Sequence, residues 1–177
     1  MSPIARPEQA EDSMPIPSRP RMTFSKWSLG CALAAFAIIA HSQLANPRLP
    51  TVELEIGIHL IRAEVAADPG TRATGLMYRQ ALGRNEGMLF VSNERSKECF
   101  WMKNTRIPLS IAFLADDGRI INIAEMAPYD ETSHCATEPV RFALEMEKGW
   151  FARRGISAGQ RVRNPRLFPA PSAPTRP

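Results

Sequence analysis

Cys99-Phe100-Trp101-Met102-Lys103-Asn104-Thr105, with Pro108 just beyond, is the densest run of chemically capable side chains in the 177-residue chain. A strand over 98–104 turns Phe100 and Met102 to one side and Cys99, Trp101 and Lys103 to the other. A Trp beside a Lys and an Asn suits a planar ligand such as a sugar, the ring stacking on its face and the polar groups bonding its edge. The competing role is packing, with Trp101 closing the core and Lys103 running out to solvent or pairing with a carboxylate. Glu145 is the partner for such a pair, on the polar side of the Phe142-Leu144-Met146 alternation. On residue type alone packing leads.

The chain has three cysteines. Cys31 falls in an apolar N-terminal run, which leaves Cys99 and Cys135. In an oxidising compartment such an isolated pair favours a disulfide. It would span 36 positions (135 − 99), contribute about 3–4 kcal/mol, and pin residues 127–139 against the Trp101 strand. His134 beside Cys135 raises a Cys–His nucleophile, but adjacent residues of an extended chain point opposite ways and no Gly-x-Ser-x-Gly elbow accompanies them. Met77, Met88, Met102, Met126 and Met146 with His134 and the cysteines offer soft ligands for copper(I). Methionines on strands are more often core filler, and no Met-x-x-Met or Cys-x-x-Cys cluster occurs. Asp116 and Asp117 belong to a turn, and Glu94, Glu98, Glu125, Asp130 and Glu131 show no paired spacing. No catalytic residue, metal site or cofactor is assigned.

The N-terminus carries an export signal. Trp27 to Ala40 (WSLGCALAAFAIIA) is free of charge, follows Arg19, Arg21 and Lys26, and gives way to small and polar residues. A signal peptide cut after Ser42 is favoured over a retained anchor, although counting to Ala45 brings the stretch close to the ~20 residues of a membrane span. Ser28-Leu29-Gly30 before Cys31 is a poor lipobox. Met14 and Met22 each begin a better signal than Met1. The location expected is therefore exported, periplasmic or anchored facing the periplasm, with membrane contact only through residues 27–45 if uncleaved. Residues 43–177 hold 18 basic and 15 acidic side chains, 18 − 15 = +3. The excess lies in Arg153, Arg154, Arg161, Arg163, Arg166 and Arg176. No aromatic interleaving or recognition motif joins them, so nucleic acid is not the partner expected.

The elements that would position these groups are short strands. Val52, Leu54 and Ile56 alternate with Glu53 and Glu55, Gly57 breaks the run, and His59 to Ala66 alternates again as the second arm of a hairpin. Asp68-Pro69 is a helix start, with the helix stopping near Gly75. Strands follow at 87–91, 98–102, 109–115, 120–126 (after the Asp116-Asp117-Gly118 turn) and 140–147. Trp150 to Arg154 suits one helical turn closed by Gly155, and a last short strand lies near 160–163. The division expected is 1–21 as a disordered extension, 22–42 as signal or anchor, 43–50 as linker, 51–164 as the domain and 165–177 as a disordered Pro/Arg tail. The fold class is mainly β (β-rich α+β), a compact barrel-like or sandwich-like domain of short strands with one or two small helices.

Six blocks in order carry a resemblance: Gly75-Leu76-Met77-Tyr78-Arg79, Gly87-Met88-Leu89-Phe90, Phe100 to Thr105, Pro108-Leu109, Pro139-Val140 with Leu144-Glu145-Met146, and Gly149-Trp150-Phe151. Together they resemble the DUF192 family over about residues 51–163. The resemblance implies a small, barrel-like β-rich domain, often behind a signal peptide or anchor, and supplies no catalytic residues. Within its blocks Lys103, Asn104 and Glu145 are the polar residues without an obvious core role, and with Trp101 they form the candidate binding site. A tight structural corner, with Asn104 bonding backbone and Thr105 starting the turn, explains the same motif.

Three functions stay open. The first is an exported, non-enzymatic module binding a small molecule, a glycan or an envelope protein through Trp101–Asn104. The second is a hydrolytic or redox enzyme using Lys103, Glu145 or the cysteines. The third is a copper-handling protein.

Overall fold

The computed structural model describes residues 46–168. The segment read as signal or anchor at 22–42 lies outside the described residues, as do residues 169–177. Among the described residues no helix is long and apolar enough to cross a membrane.

Eight strands form: β1 (Thr51–Ile56), β2 (His59–Ala66), β3 (Glu86–Ser96), β4 (Cys99–Phe100), β5 (Leu109–Leu114), β6 (Ile120–Met126), β7 (His134–Cys135) and β8 (Val140–Glu147). Six of them make one mixed sheet in the order β1-β2-β3-β8-β5-β6, and β4 pairs with β7 in a separate ribbon. The β1–β2 hairpin is as the alternation predicts, with Leu54 and Ile56 buried and Glu53 and Glu55 exposed. The one α-helix among the described residues, α1 (Pro69–Thr74), starts where predicted: Asp68 accepts a hydrogen bond from the Thr71 N–H at 2.9 Å, and proline opens the first turn. It lies on the crossover between β2 and β3, which pair in parallel.

The core occupies both faces of the sheet. Leu144 and Met146 of β8 join Leu54, Ile61, Trp150, Phe151 and Val162 on one side. Ala143 of β8 joins Met88, Phe90, Ile111, Phe113 and Met102 on the other. All six residues of β5 are buried for this reason, and its sequence, Leu-Ser-Ile-Ala-Phe-Leu, is nearly continuous in apolar character.

Several expectations are corrected. The sheet is not a closed barrel, because β1 and β6 remain its edges. The expected strand at 160–163 is instead an isolated bridge to each edge, Arg163 against Glu55 and Arg161 against Arg119. The Arg161 guanidinium also bonds the Asp117 carboxylate, which fastens the segment to the β5–β6 turn. A Cβ on Gly118 (φ 77°) would lie 2.1 Å from the Val162 carbonyl oxygen, so only glycine fits that turn. The strand expected over 98–102 ends at Phe100, because the chain turns at Asn104 (φ 54°) with the Thr105 N–H bonded to the Met102 carbonyl. Trp101 does not close the core; it is 48% exposed, and Trp150 fills that role at 0%.

Both expected tails contribute to the domain. Residues 46–50, read as linker, are tied down by Asn46 bonding the Gly75 and Met77 carbonyls and by Arg48 bonding Glu64 and Glu86. Beyond Asn164, Phe168 is buried edge-on against Phe142 at 4.9 Å between ring centroids. Arg48 and the buried Arg79 converge on Glu64, whose side chain is 3% exposed, at 3.0 Å and 2.6 Å.

Candidate functional site

Glu145 projects from the middle of β8, between Met88 of β3 and Ile111 of β5. The alternation places it opposite Leu144 and Met146, as predicted, but that face is covered as well. Glu145 is consequently only 4% exposed. No residue donates a hydrogen bond to its carboxyl and no cation pairs with it among the described residues. Burial alone pushes its pKa up to about 8.

The carboxyl sits in the lining of a cavity of about 270 Å³. Phe90 of β3 and Phe100 of β4 form part of the wall, in edge contact with each other at 4.8 Å between centroids. The last turn of α1 and its exit, Arg72 to Met77, form another part, and Trp101 completes the rim. Close approach of α1 to Phe90 requires Gly75: its φ is 48°, and a Cβ there would meet the Phe90 ring at 3.2 Å.

Three hydroxyls of the polar lining have given their protons to protein acceptors. The Ser92 hydroxyl donates to Glu98, the Thr74 hydroxyl to the Gly70 carbonyl and the Thr105 hydroxyl to the Lys103 carbonyl. One terminal nitrogen of Arg72, Nη1, donates to the Ala67 and Val91 carbonyls, while its Nε–H and Nη2 groups have no acceptor among the described residues. The lining thus combines the carboxyls of Glu98 and Glu145 and three hydroxyl oxygens with the remaining N–H groups of Arg72.

Two of the four predicted site residues meet here. Trp101 and Glu145 line the cavity, whereas Lys103 and Asn104 do not. Lys103 is exposed, with its ammonium 5.1 Å from the Trp101 ring centroid, and makes no ion pair with Glu145. Asn104 takes the corner: its positive φ turns the chain, and its carbonyl accepts from the Tyr78 N–H at 2.9 Å. Phe90, Phe100, Arg72, Met77 and Glu98 are lining residues that are not among the four predicted binding residues; by side-chain chemistry Met77 enters only as a copper(I) ligand and Glu98 only as an unpaired carboxylate. Three of them, Met77, Phe90 and Phe100, lie within the resemblance blocks, which is the signal that marked them.

Cys99 and Cys135 are joined by a disulfide that connects β4 to β7, and Cys99 is part of the cavity wall. With both sulfurs bonded, neither is a thiolate ligand or nucleophile. Met88, Met102 and Met126 are core residues on one side of the sheet and Met146 on the other, so no methionine cluster forms around His134. Among the described residues no group of three His, Cys, Asp or Glu is placed to hold a metal. The paired variant Cys99→Ser/Cys135→Ser is expected to lose about 3–4 kcal/mol from the unfolded-chain entropy of the loop. Urea denaturation measures it, and a loss below about 1 kcal/mol would show that the ribbon's other contacts suffice.

Residues 52–164 match the family model DUF192, described as "Uncharacterized ACR". Among solved structures, a protein of unknown function from Novosphingobium aromaticivorans DSM 12444 is 39% identical with a TM-score of 0.63, over 68% of this chain and 94% of that one. A candidate transcription regulator from Sinorhizobium meliloti 1021 is 34% identical with a TM-score of 0.64, over 67% of this chain and 97% of the other. No curated protein matches.

Proposed function

Because the chain belongs to the DUF192 family, whose description assigns no activity, we propose its function from its own geometry: an exported, non-enzymatic envelope module that binds a small ligand in the cavity holding Glu145. The observation that carries this reading is a carboxyl without a partner among the described residues, buried in the lining of an aromatic-walled cavity. A buried polar group is normally satisfied by the protein or by water. Here the missing partner is the ligand. A concave site with an apolar wall and a few polar groups suits a small molecule, or the end of a glycan, better than the flat face of a partner protein. Export is read from residues 22–42, and a disulfide is the state favoured outside the cytoplasm. Cell fractionation with intact-mass measurement tests it; a chain retained in the cytoplasm with residues 22–42 uncut would sink the export reading.

Trp101→Ala is expected to weaken binding about 5- to 150-fold, since stacking on an indole contributes on the order of 1–3 kcal/mol. Its midpoint of thermal unfolding should stay nearly unchanged, because half of the side chain is already in solvent. A thermal-shift screen of the protein and the variant against amines, sugars and peptidoglycan fragments reads both quantities. A collapse of the variant's midpoint would assign Trp101 to packing instead.

A hydrolytic reading draws on the same carboxyl, because a general acid must carry its proton near neutral pH. Among the described residues no side-chain nucleophile stands beside that carboxyl: the cysteines are bonded to each other, and no hydroxyl bonds Glu145. The regulator label of the Sinorhizobium relative finds little support in this chain. Its α1 has six residues, short for a helix that fills a major groove.

A further inference from the structure

The geometry points to a small organic cation as the ligand of the Glu145 cavity: an ammonium or guanidinium group on a compact apolar body, paired with the Glu145 carboxylate among the rings of Phe90, Phe100 and Trp101. The inference rests on the preceding reading of the cavity as a binding site and names the chemical class of its ligand.

Three features carry it. The hydroxyls of Thr74, Ser92 and Thr105 have committed their protons to protein acceptors. Their oxygens, with the Glu145 carboxyl, are left as acceptors for a ligand that brings donors. The walls are aromatic and sulfur-bearing, with Phe90, Phe100, Trp101, Met77 and Cys99. Aromatic faces carry negative potential and attract cations, and Trp101 already holds the Lys103 ammonium 5.1 Å from its centroid. The charges in the lining are those of Arg72, Glu98 and Glu145. With Glu145 ionised, two carboxylates face one guanidinium, a net of −1 that a monocation neutralises.

The proton balance follows. At neutral pH the empty site holds Glu145 mostly as the acid, since burial raises it to about 8. Binding converts Glu145–COOH plus the ligand cation into a carboxylate–cation pair, and the displaced proton passes to solvent. Cation affinity should therefore rise about tenfold per pH unit below about pH 8 and level off above it.

Benzylguanidinium, which stays charged across this pH range and carries N–H donors, and the neutral benzyl alcohol are the probes for isothermal titration of the whole protein. The cation is expected to bind at least tenfold more tightly at about pH 8, releasing close to one proton per ligand at about pH 6.5 in buffers of differing ionisation heat. Glu145→Gln should lose the cation at least tenfold and abolish the release. Equal affinity for both probes, or binding of the alcohol alone, would overturn the cation while leaving the cavity a binding site if Trp101→Ala still weakens it. Absence of cation binding, or cation affinity unchanged in Glu145→Gln, would overturn it too; the broader screen against the Trp101 variant then decides whether the cavity binds anything else.

Discussion

Glu64→Ala is expected to lower the stability of the domain by about 3–5 kcal/mol, on the order of 10–20 °C in thermal midpoint. Glu64 accepts from Arg79 at 2.6 Å, Arg48 at 3.0 Å and the Leu49 N–H at 2.7 Å, with its side chain 3% exposed. The variant strands the Arg79 guanidinium, whose Nε is already buried without a partner. It also frees residues 47–50, since Arg79 bonds the Pro47 carbonyl and Glu64 the Leu49 amide. Truncating one member of a buried pair is costly because the other charge stays dehydrated; replacing both is far milder. The double variant Glu64→Leu/Arg79→Met should recover much of the loss. Urea denaturation of the set checks this, and a loss below about 1 kcal/mol for Glu64→Ala would mean that water reaches the pair.

Glu145→Gln is expected to act in the opposite direction, stabilising the protein in alkaline solution. The folded carboxyl has its pKa raised to about 8 from an ordinary value of 4.5. Its raised value favours the folded state fully below about pH 4.5, and this contribution is lost as pH rises toward 8. The span corresponds to roughly 4–5 kcal/mol at most. The difference in unfolding free energy between variant and parent should thus grow between about pH 5 and 8 and then flatten. The shape of that difference is the clean readout, because groups common to both proteins cancel and the buried amide adds only a constant. A flat difference would show that the carboxyl is solvated when folded. In the proposed site such a cost in stability is a familiar compromise, since a binding site must leave unsatisfied what its ligand will satisfy.

Local patterns were well legible. The period of β1 and β2, the Asp68-Pro69 start of α1 and the Asp116-Asp117-Gly118 turn each rest on interactions within a few residues, and each is where the pattern puts it. The pairings were not. β7 is two residues long with no period to read, and it exists because Cys135 and His134 lie across from Cys99 and Phe100. The parallel pairing of β2 with β3, and the length of β3 beyond Val91, are likewise set by neighbours far away in the chain.

From the sequence by itself came a β-rich domain of the DUF192 family, the Cys99–Cys135 pairing as the favoured use of two cysteines, and Trp101 and Glu145 among the candidates for a site. It also assigned the faces of β8 correctly, with Glu145 opposite Leu144 and Met146. Only the tertiary structure decided that the polar-looking face is a second core. That covering turns Glu145 from a surface partner of Lys103 into a lone buried carboxyl, and sends Lys103 to the outside of Trp101. The physical reason is that alternation reports which side of a strand a residue takes, whereas what packs over that side is a matter of long-range contacts. The cavity is assembled from residues as distant as Arg72 and Glu145, and no local period encodes such a meeting.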